Sequence, residues 1–292
     1  MKYAPVMEVA VHIGYPKAAS TTLQKHLFHK HSELNNLGNY PTANIGIDSE
    51  EIDCEASYLK YKELKQFYSN ILQLDDIEYA FSKNDAVFNT YVLPRMSADK
   101  INIFSHEGFL ATFFSNADRG DKAKRLCSFF REPKIMIIIR NQLEMIKSQY
   151  ADWPFDPRAF MMRRAVDINE WIQIDIRTPE SKNFIRSLNY YYVINYYVSL
   201  FGEQNVRVFL FEEMVNNLER FANDISDFLG ITAAQTRAIL SNKHENKARN
   251  IQLRSQTINS DNVNQLYNYF RQINKSLMNI YHLNLADYDY PF

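Results

Sequence analysis

Short apolar runs alternate along the chain with segments in which apolar residues recur every three or four positions. Four of these runs are typical of buried parallel strands: Val6–Ile13, Lys100–Ser105, Lys134–Ile139 and Val206–Phe211. The segments between them, such as Leu218–Leu229, have the spacing of amphipathic helices. This alternation predicts an α/β fold, a doubly wound domain with a central parallel sheet flanked by helices.

The same pattern predicts how the chain is divided. Strand and helix alternate without a long linker or an internal repeat, so we expect a single domain over residues 1–292. Residues 50–98 have helical spacing and predict a helical insertion between two strands. Further predictions are a first helix over Thr21–His31, a loop over Asn35–Ser49, and helices over Gly108–Phe114 and Ser187–Phe201.

Composition and charge exclude several classes of protein. The chain is 46% hydrophobic and 23% charged, with a net charge of −1, which does not indicate a nucleic-acid partner. The longest wholly apolar run, Ile135–Ile139, is far shorter than the roughly 20 residues of a membrane helix, and the N-terminus lacks a signal-peptide core. Two cysteines are too few for a disulfide framework. We therefore expect a cytoplasmic protein without a transmembrane segment.

The most informative stretch is Val9–Leu27, which reads VAVHIGYPKAASTTLQKHL. An apolar strand breaks at Gly14, and a helix begins near Ser20 after a short loop. The N–H groups and the dipole at such a helix start attract an anion. The loop can help to hold that anion through small residues, hydroxyl groups and one lysine: Lys17, Ala18, Ala19, Ser20, Thr21 and Thr22. An ordinary capped helix after a buried strand explains this pattern alone equally well.

This loop departs from the Walker A sequence. Counted from Gly14, the last three positions of G-x-x-x-x-G-K-[ST] are Ala19, Ser20 and Thr21, so Lys17 stands three residues too early. Nor does the strand Lys134–Ile139 end in the aspartate that would hold Mg²⁺. ATP-driven phosphoryl transfer is therefore disfavoured, although a nucleotide kinase or NTPase with a degenerate loop remains an alternative.

Charged residues follow two other predicted strands. Arg140 comes directly after Lys134–Ile139 and can form a bidentate pair with a phosphate, and Ser148 lies eight residues later on the next helix. An arginine paired with a surface carboxylate is the commoner arrangement. His106 and Glu107 follow another strand, where ligands bind in open α/β sheets. Glu107 is either a general base or a first-turn carboxylate of the next helix.

Together these motifs resemble PAPS-dependent sulfotransferases. The resemblance rests on the loop GYPKAASTTLQKHL, on Arg140 with Ser148, and on NVRVFLFEEMVNN followed by ISDFLGI. It covers most of the chain and is closer to the bacterial and carbohydrate type than to the cytosolic small-molecule type. It implies transfer of a sulfuryl group from PAPS to a hydroxyl of an acceptor. A glycan or a glycolipid is the acceptor class that we consider first. A catalytically inactive PAP-binding module is the remaining alternative.

The resemblance also implies a role for each residue. Lys17 would contact the bridging oxygen of PAPS, and the loop through Thr22 would hold the 5′-phosphosulfate. The 3′-phosphate would bind Arg140 and Ser148, and Lys247 and Arg249 would form a basic lid over the cofactor. Residues 153–183 would form an acceptor-side segment. Glu107 would be the base, with His106 as runner-up. No metal is required, because a sulfuryl group carries less negative charge than a phosphoryl group. The family's loop glycine is Ala19 here, so we expect a loop without a positive φ at that position.

Overall fold

In the part of the chain that the structure describes, five parallel strands form one central sheet. The computed structural model describes residues 7–38, 64–111, 117–151, 166–178, 183–241 and 255–292. The strands are β1 Val9–His12, β2 Leu34–Asn36, β3 Ile101–Ser105, β4 Lys134–Ile139 and β5 Val206–Leu210. Their order is β2-β3-β1-β4-β5, and every neighbouring pair is parallel. The predicted α/β fold with a central parallel sheet is confirmed.

The first strand lies in the middle of this sheet. Val11 is aligned with Phe104 of β3 on one side and with Ile135 of β4 on the other. The order of the strands reverses at β1, because β3 and β4 lie on opposite sides of it. In open α/β sheets, such a reversal opens a crevice at the carboxyl ends of the strands, where ligands bind. The loop after β1 therefore lies where a binding site is expected.

Helices flank the sheet. The first runs from Ser20 to Lys30 and contains a π-helical segment, Leu23–Leu27. The later α-helical segments are residues 64–72, Asp76–Phe81, Asn84–Val87, Arg119–Phe129, Gln142–Ala151, Ile168–Arg177, Phe184–Ser187, Tyr190–Phe201, Phe211–Asn216, Leu218–Leu229, Ala233–Leu240 and Ser260–Tyr281. A second π-helical segment, Phe88–Val92, extends one of them. No helix of the described ranges is both long enough and apolar enough to cross a membrane.

The core is built on the two faces of the sheet. All side chains of Ile135–Ile139 are fully buried, as expected of a parallel strand covered by helices on both sides. Each such side chain contributes roughly 1.5–3 kcal/mol relative to an exposed one. Aromatic contacts extend this core toward the predicted insertion, because Phe67 packs edge-on against Phe104 of β3, with ring centroids 5.9 Å apart.

The described part of the predicted insertion, residues 64–98, is helical. The buried Arg125 ties it to the rest of the protein by donating to the carbonyl oxygens of Ile71 and Leu74 and to the carboxylate of Asp76. The boundaries of the insertion, of the acceptor-side segment and of the single domain stay predictions.

Three local predictions are wrong. Leu34–Asn36 forms an edge strand within the stretch predicted as a loop, because pairing with β3 stabilises a sequence with little strand preference of its own. The helix predicted from Gly108 is only a 3₁₀ turn, Glu107–Phe109, in the described part of that stretch. The helix predicted over Ser187–Phe201 is broken before Tyr190, where Asn189 caps the second segment.

Candidate functional site

The loop after β1 makes a sharp turn. The N–H of Ala18 donates to the carbonyl oxygen of Tyr15 at 3.2 Å, and Lys17 has φ 68°. With Pro16 in the second position, these are the features of a type II turn, which requires a positive φ at its third residue. The turn therefore holds Lys17 in a left-handed conformation at the carboxyl edge of the sheet.

Ala19 is also left-handed, with φ 63° and ψ 8°. The expectation that this loop avoids a positive φ at Ala19 is wrong. Alanine has only one side-chain carbon and tolerates this region at a cost of roughly 1–2 kcal/mol. The surrounding structure offsets that cost, because the Ala19 carbonyl oxygen accepts from the N–H of Leu23 at 3.0 Å and so opens the first helix.

The start of the first helix is suited to an anion. Ala19 is its N-cap residue and makes no side-chain capping hydrogen bond. The N–H groups of the first turn therefore lack the acceptor that serine or aspartate would supply at this position. Ser20 and Thr22 are buried and Thr21 is partly exposed, and the Ser20 hydroxyl donates to the Tyr15 carbonyl oxygen at 3.3 Å.

Gly14 is required by the close packing beneath the loop. A Cβ atom at this position would lie 2.5 Å from His12 Nε2 and 2.9 Å from Ser20 Oγ, both far inside van der Waals contact. His12 is the residue that sequence reasoning missed here. The signal was a single polar residue inside the apolar run VAVHI.

His12 ties three elements together. Its Nδ1 lies 2.8 Å from Ser105 Oγ at the end of β3, and the same hydroxyl oxygen accepts from Gln24 Nε2 on the first helix at 2.9 Å. Burial lowers the pKa of His12 to about 3, so the ring is neutral at pH 7. This uncharged network fixes the ends of β1 and β3 directly under the loop.

Arg140 lies against the loop from the neighbouring strand. Its Nη1 donates to the carbonyl oxygen of Lys17 at 3.0 Å, and the side chain is almost fully buried. The guanidinium lies over the ring of Phe211, 4.5 Å from its centroid, and the Tyr190 hydroxyl donates to the Arg140 carbonyl oxygen at 2.7 Å. Phe211, which follows β5, was not among the predicted site residues. Ser148 is partly exposed on the helix Gln142–Ala151.

His106 and Glu107 lie on the other side of the loop, at the end of β3. The Nδ1 of His106 accepts from the N–H of Gly108 at 2.8 Å, which places the ring proton on Nε2. Burial, and then the charge of Lys122, lower the pKa of His106 to about 4. Lys122 also donates to the Gly108 and Ala111 carbonyl oxygens, which holds this turn in place. Glu107 is partly exposed.

The predicted residues therefore converge in part. The loop from Lys17 to Thr22, Arg140 and the pair His106 and Glu107 lie at the carboxyl ends of the adjacent strands β1, β4 and β3. Lys247 and Arg249 lie outside the described residues. That the site works without a metal ion stays a prediction. Fold and site together define an α/β protein with a candidate anion-binding region at the end of its central strand.

Solved structures of sulfotransferases are similar to this chain. The sulfotransferase from Alicyclobacillus acidocaldarius matches with a TM-score of 0.58 and 15% sequence identity over 98% of each chain. Weaker likenesses are a mouse sulfotransferase complexed with PAP (TM-score 0.46, 12% identity, 94% of this chain and 85% of that one) and the sulfotransferase domain of the Synechococcus PCC 7002 olefin synthase (0.45, 14%, 93% and 97%). No protein-family model matches the sequence, and no curated protein matches it. The chain has the sulfotransferase fold.

Proposed function

We propose that this protein is a sulfotransferase that moves a sulfuryl group from PAPS to a hydroxyl of an acceptor. The observation that carries the proposal is the contact between two anion-binding features on adjacent strands. An uncapped helix start follows β1, the buried Arg140 follows β4, and a 3.0 Å hydrogen bond from Arg140 Nη1 to the Lys17 carbonyl oxygen joins them. PAPS carries anionic groups at its 5′ and 3′ positions and suits a site with two separate sets of donors.

The loop residues would hold the 5′ end. The N–H groups of the first helical turn and the hydroxyls of Ser20, Thr21 and Thr22 are donors at the positive end of a helix. Lys17 lies in the left-handed turn three residues before Ser20, the first residue of that helix, and its ammonium group would lie beside the helix start. A fixed positive charge there stabilises the negative charge that develops as the sulfuryl group departs, so a metal ion is not required.

Arg140 and Ser148 would hold the 3′-phosphate. The guanidinium is a rigid fork of donors, and the Phe211 ring supports one of its faces. Burial strengthens a bidentate pair with phosphate, because water does not compete for the same donors. We include Lys247 and Arg249 as further contacts to the nucleotide on the strength of the sequence resemblance.

We assign Glu107 as the base that takes the proton from the acceptor hydroxyl. His106 is less suited to this role, because its Nδ1 already accepts from the N–H of Gly108 and its Nε2 carries the ring proton. The neutral ring therefore has no nitrogen left to accept a proton in this arrangement. We propose that the acceptor is a glycan or glycolipid, bound beside the helical insertion and the segment 153–183, and that the protein is cytoplasmic.

Nucleotide binding and transfer test the proposal. In a thermal-shift titration, PAP should stabilise the protein and AMP, which lacks the 3′-phosphate, should do so far less. Labelled PAPS should then sulfate a hydroxyl acceptor in a panel of glycans, lipids and phenols. Binding of PAP without transfer to any acceptor would favour an inactive module. Turnover of Mg²⁺–ATP that PAP does not inhibit would favour a kinase or NTPase.

The variant Lys17→Ala tests the role of the loop lysine. We expect transfer to slow by a factor on the order of 10² or more, because one preorganised charge is lost from the transition state. Lys30→Ala is the matched control, since Lys30 is exposed at the far end of the same helix. Transfer at the unsubstituted rate by Lys17→Ala would show that the assignment of Lys17 is wrong.

A further inference from the structure

The backbone at Arg140 and Asn141 is held from two distant parts of the chain. The Tyr190 hydroxyl donates to the Arg140 carbonyl oxygen at 2.7 Å, and the N–H of Asn141 donates to Glu212 Oε1 at 2.8 Å. These residues come from the helix Tyr190–Phe201 and from the helix Phe211–Asn216 that follows β5. The peptide group that joins Arg140 to Asn141 is therefore held at its carbonyl oxygen and at its N–H.

The last residues of the chain add a third anchor, and we call Tyr288–Pro291 the C-terminal clamp. The Nδ2 of Asn141 donates to the carbonyl oxygens of Tyr288 and Asp289, at 3.1 and 2.7 Å. The Tyr290 hydroxyl donates to Glu212 Oε2 at 3.1 Å, and Asn274 Nδ2 donates to the Pro291 carbonyl oxygen at 2.7 Å. The clamp thus contacts Asn141, which follows β4, and Glu212, which lies in the helix after β5.

Glu212 joins the clamp to Arg140. One of its carboxylate oxygens accepts from Asn141 N–H and the other from the Tyr290 hydroxyl. The carboxyl group is largely buried, which raises its pKa, and the charge of Arg140 opposes that rise. A buried carboxylate that loses a hydrogen-bond donor is destabilised unless another donor replaces it. The Tyr290 hydroxyl therefore helps to fix the carboxylate that holds the Asn141 N–H.

We propose that the C-terminal clamp is a positioning element for Arg140, and that through Glu212 and Asn141 it sets the preference for nucleotides that carry a 3′-phosphate. This inference rests on the proposed function, in which Arg140 binds that phosphate. Tyr290 is almost fully buried and acts through Glu212, so it is a positioning residue. An Arg140 whose backbone is held less firmly is less well positioned for the phosphate, while the N–H groups of the first helix are unchanged.

The variant Tyr290→Phe tests this inference in the full chain, because it removes one hydroxyl and keeps the buried ring. Calorimetric titration should show PAP binding about tenfold more weakly, as expected for the loss of a hydrogen bond to a charged group. Binding of AMP should stay within about twofold, because AMP lacks the 3′-phosphate. Tyr281→Phe is the matched control. It removes a hydroxyl that bonds to Asn195, also near the C-terminus, and should leave both affinities unchanged.

A second variant, Asn141→Asp, keeps the inference testable if Tyr290→Phe does not fold. It retains the oxygen that accepts from the N–H groups of Leu143 and Glu144 and removes the donor to the clamp. The same selective loss of PAP binding is expected. If the affinities for PAP and AMP fall by the same factor, or if neither falls, the proposed role of the clamp is wrong and the proposed function is unaffected. An unsubstituted protein without any preference for PAP over AMP would overturn the proposed function as well.

Discussion

Replacing Ala19 with glycine tests the left-handed loop that holds the proposed phosphosulfate site. Glycine at φ 63° should relieve a strain of roughly 1–2 kcal/mol. The same change loses a nearly buried methyl group, worth about 0.8 kcal/mol, and adds roughly 0.5–1 kcal/mol of chain entropy to the unfolded state. These effects nearly cancel, so Ala19→Gly should change the free energy of unfolding by less than about 1 kcal/mol.

Ala18→Gly is the matched comparison. Ala18 is fully buried and is not among the residues with a positive φ, so glycine there relieves no strain. It should lose about 1.5 kcal/mol from the methyl group and the chain entropy together. The two variants differ only in the conformation of the backbone at the changed residue. The difference between their stabilities, about 1–2 kcal/mol in favour of Ala19→Gly, therefore measures the strain itself.

Denaturant unfolding of the three proteins side by side measures this difference. The midpoint of Ala18→Gly should fall clearly below that of the unsubstituted protein, while the midpoint of Ala19→Gly should stay close to it. The slopes should agree, because neither change alters the surface exposed on unfolding. Equal losses of stability in both variants would mean that Ala19 is not left-handed in the folded protein, and the turn described here would then be wrong.

Three further predictions concern the site. Arg140→Lys should weaken PAP binding by about tenfold or more and leave AMP binding unchanged, because lysine lacks the planar guanidinium that pairs with a phosphate through two hydrogen bonds. Equal losses of affinity for PAP and AMP would contradict the assignment of Arg140 to the 3′-phosphate. Glu107→Gln should reduce the transfer rate by roughly 10²–10⁴, and His106→Gln much less; the reverse order would make His106 the base. The folded pKa of His12, about 3, lies below its unfolded value, so its contribution to stability is present above pH 6.5 and is lost as the pH falls toward 3. Between pH 8 and pH 5 this loss should be about 2 kcal/mol. The free energy of unfolding of His12→Gln, measured with denaturant, should therefore fall less over the same pH range than that of the unsubstituted protein.

The elements that the sequence predicts well are those whose pattern is sufficient by itself. The run KIMIII is apolar after its first residue and forms β4 at the predicted positions, and the helix Leu218–Leu229 also has the predicted bounds. Leu34–Asn36 differs, because its strand conformation depends on a partner strand that begins at Ile101. A three-residue edge strand with two asparagines has no periodic signal to detect.

The same distinction applies to the candidate site. The loop and Arg140 were predicted from residue types and spacing, and the strand order brings them into contact. The positive φ of Ala19 was not predictable from residue preference, because the turn around it imposes that conformation. Glu212 was not among the predicted site residues. Its bond to Tyr290 spans 78 residues, and local sequence carries no information about such a contact.

The central position of β1 has a consequence for how the protein is made. This strand precedes both of its neighbours in the sequence, and the contact between His12 and Ser105 spans 93 residues. Nascent chains that end before Ser105 therefore carry a buried-type apolar strand with no partner for either edge. We expect such fragments to aggregate or to bind chaperones during translation. The strand that supports the candidate site can pair on both edges only after β3 and β4 have both been synthesised.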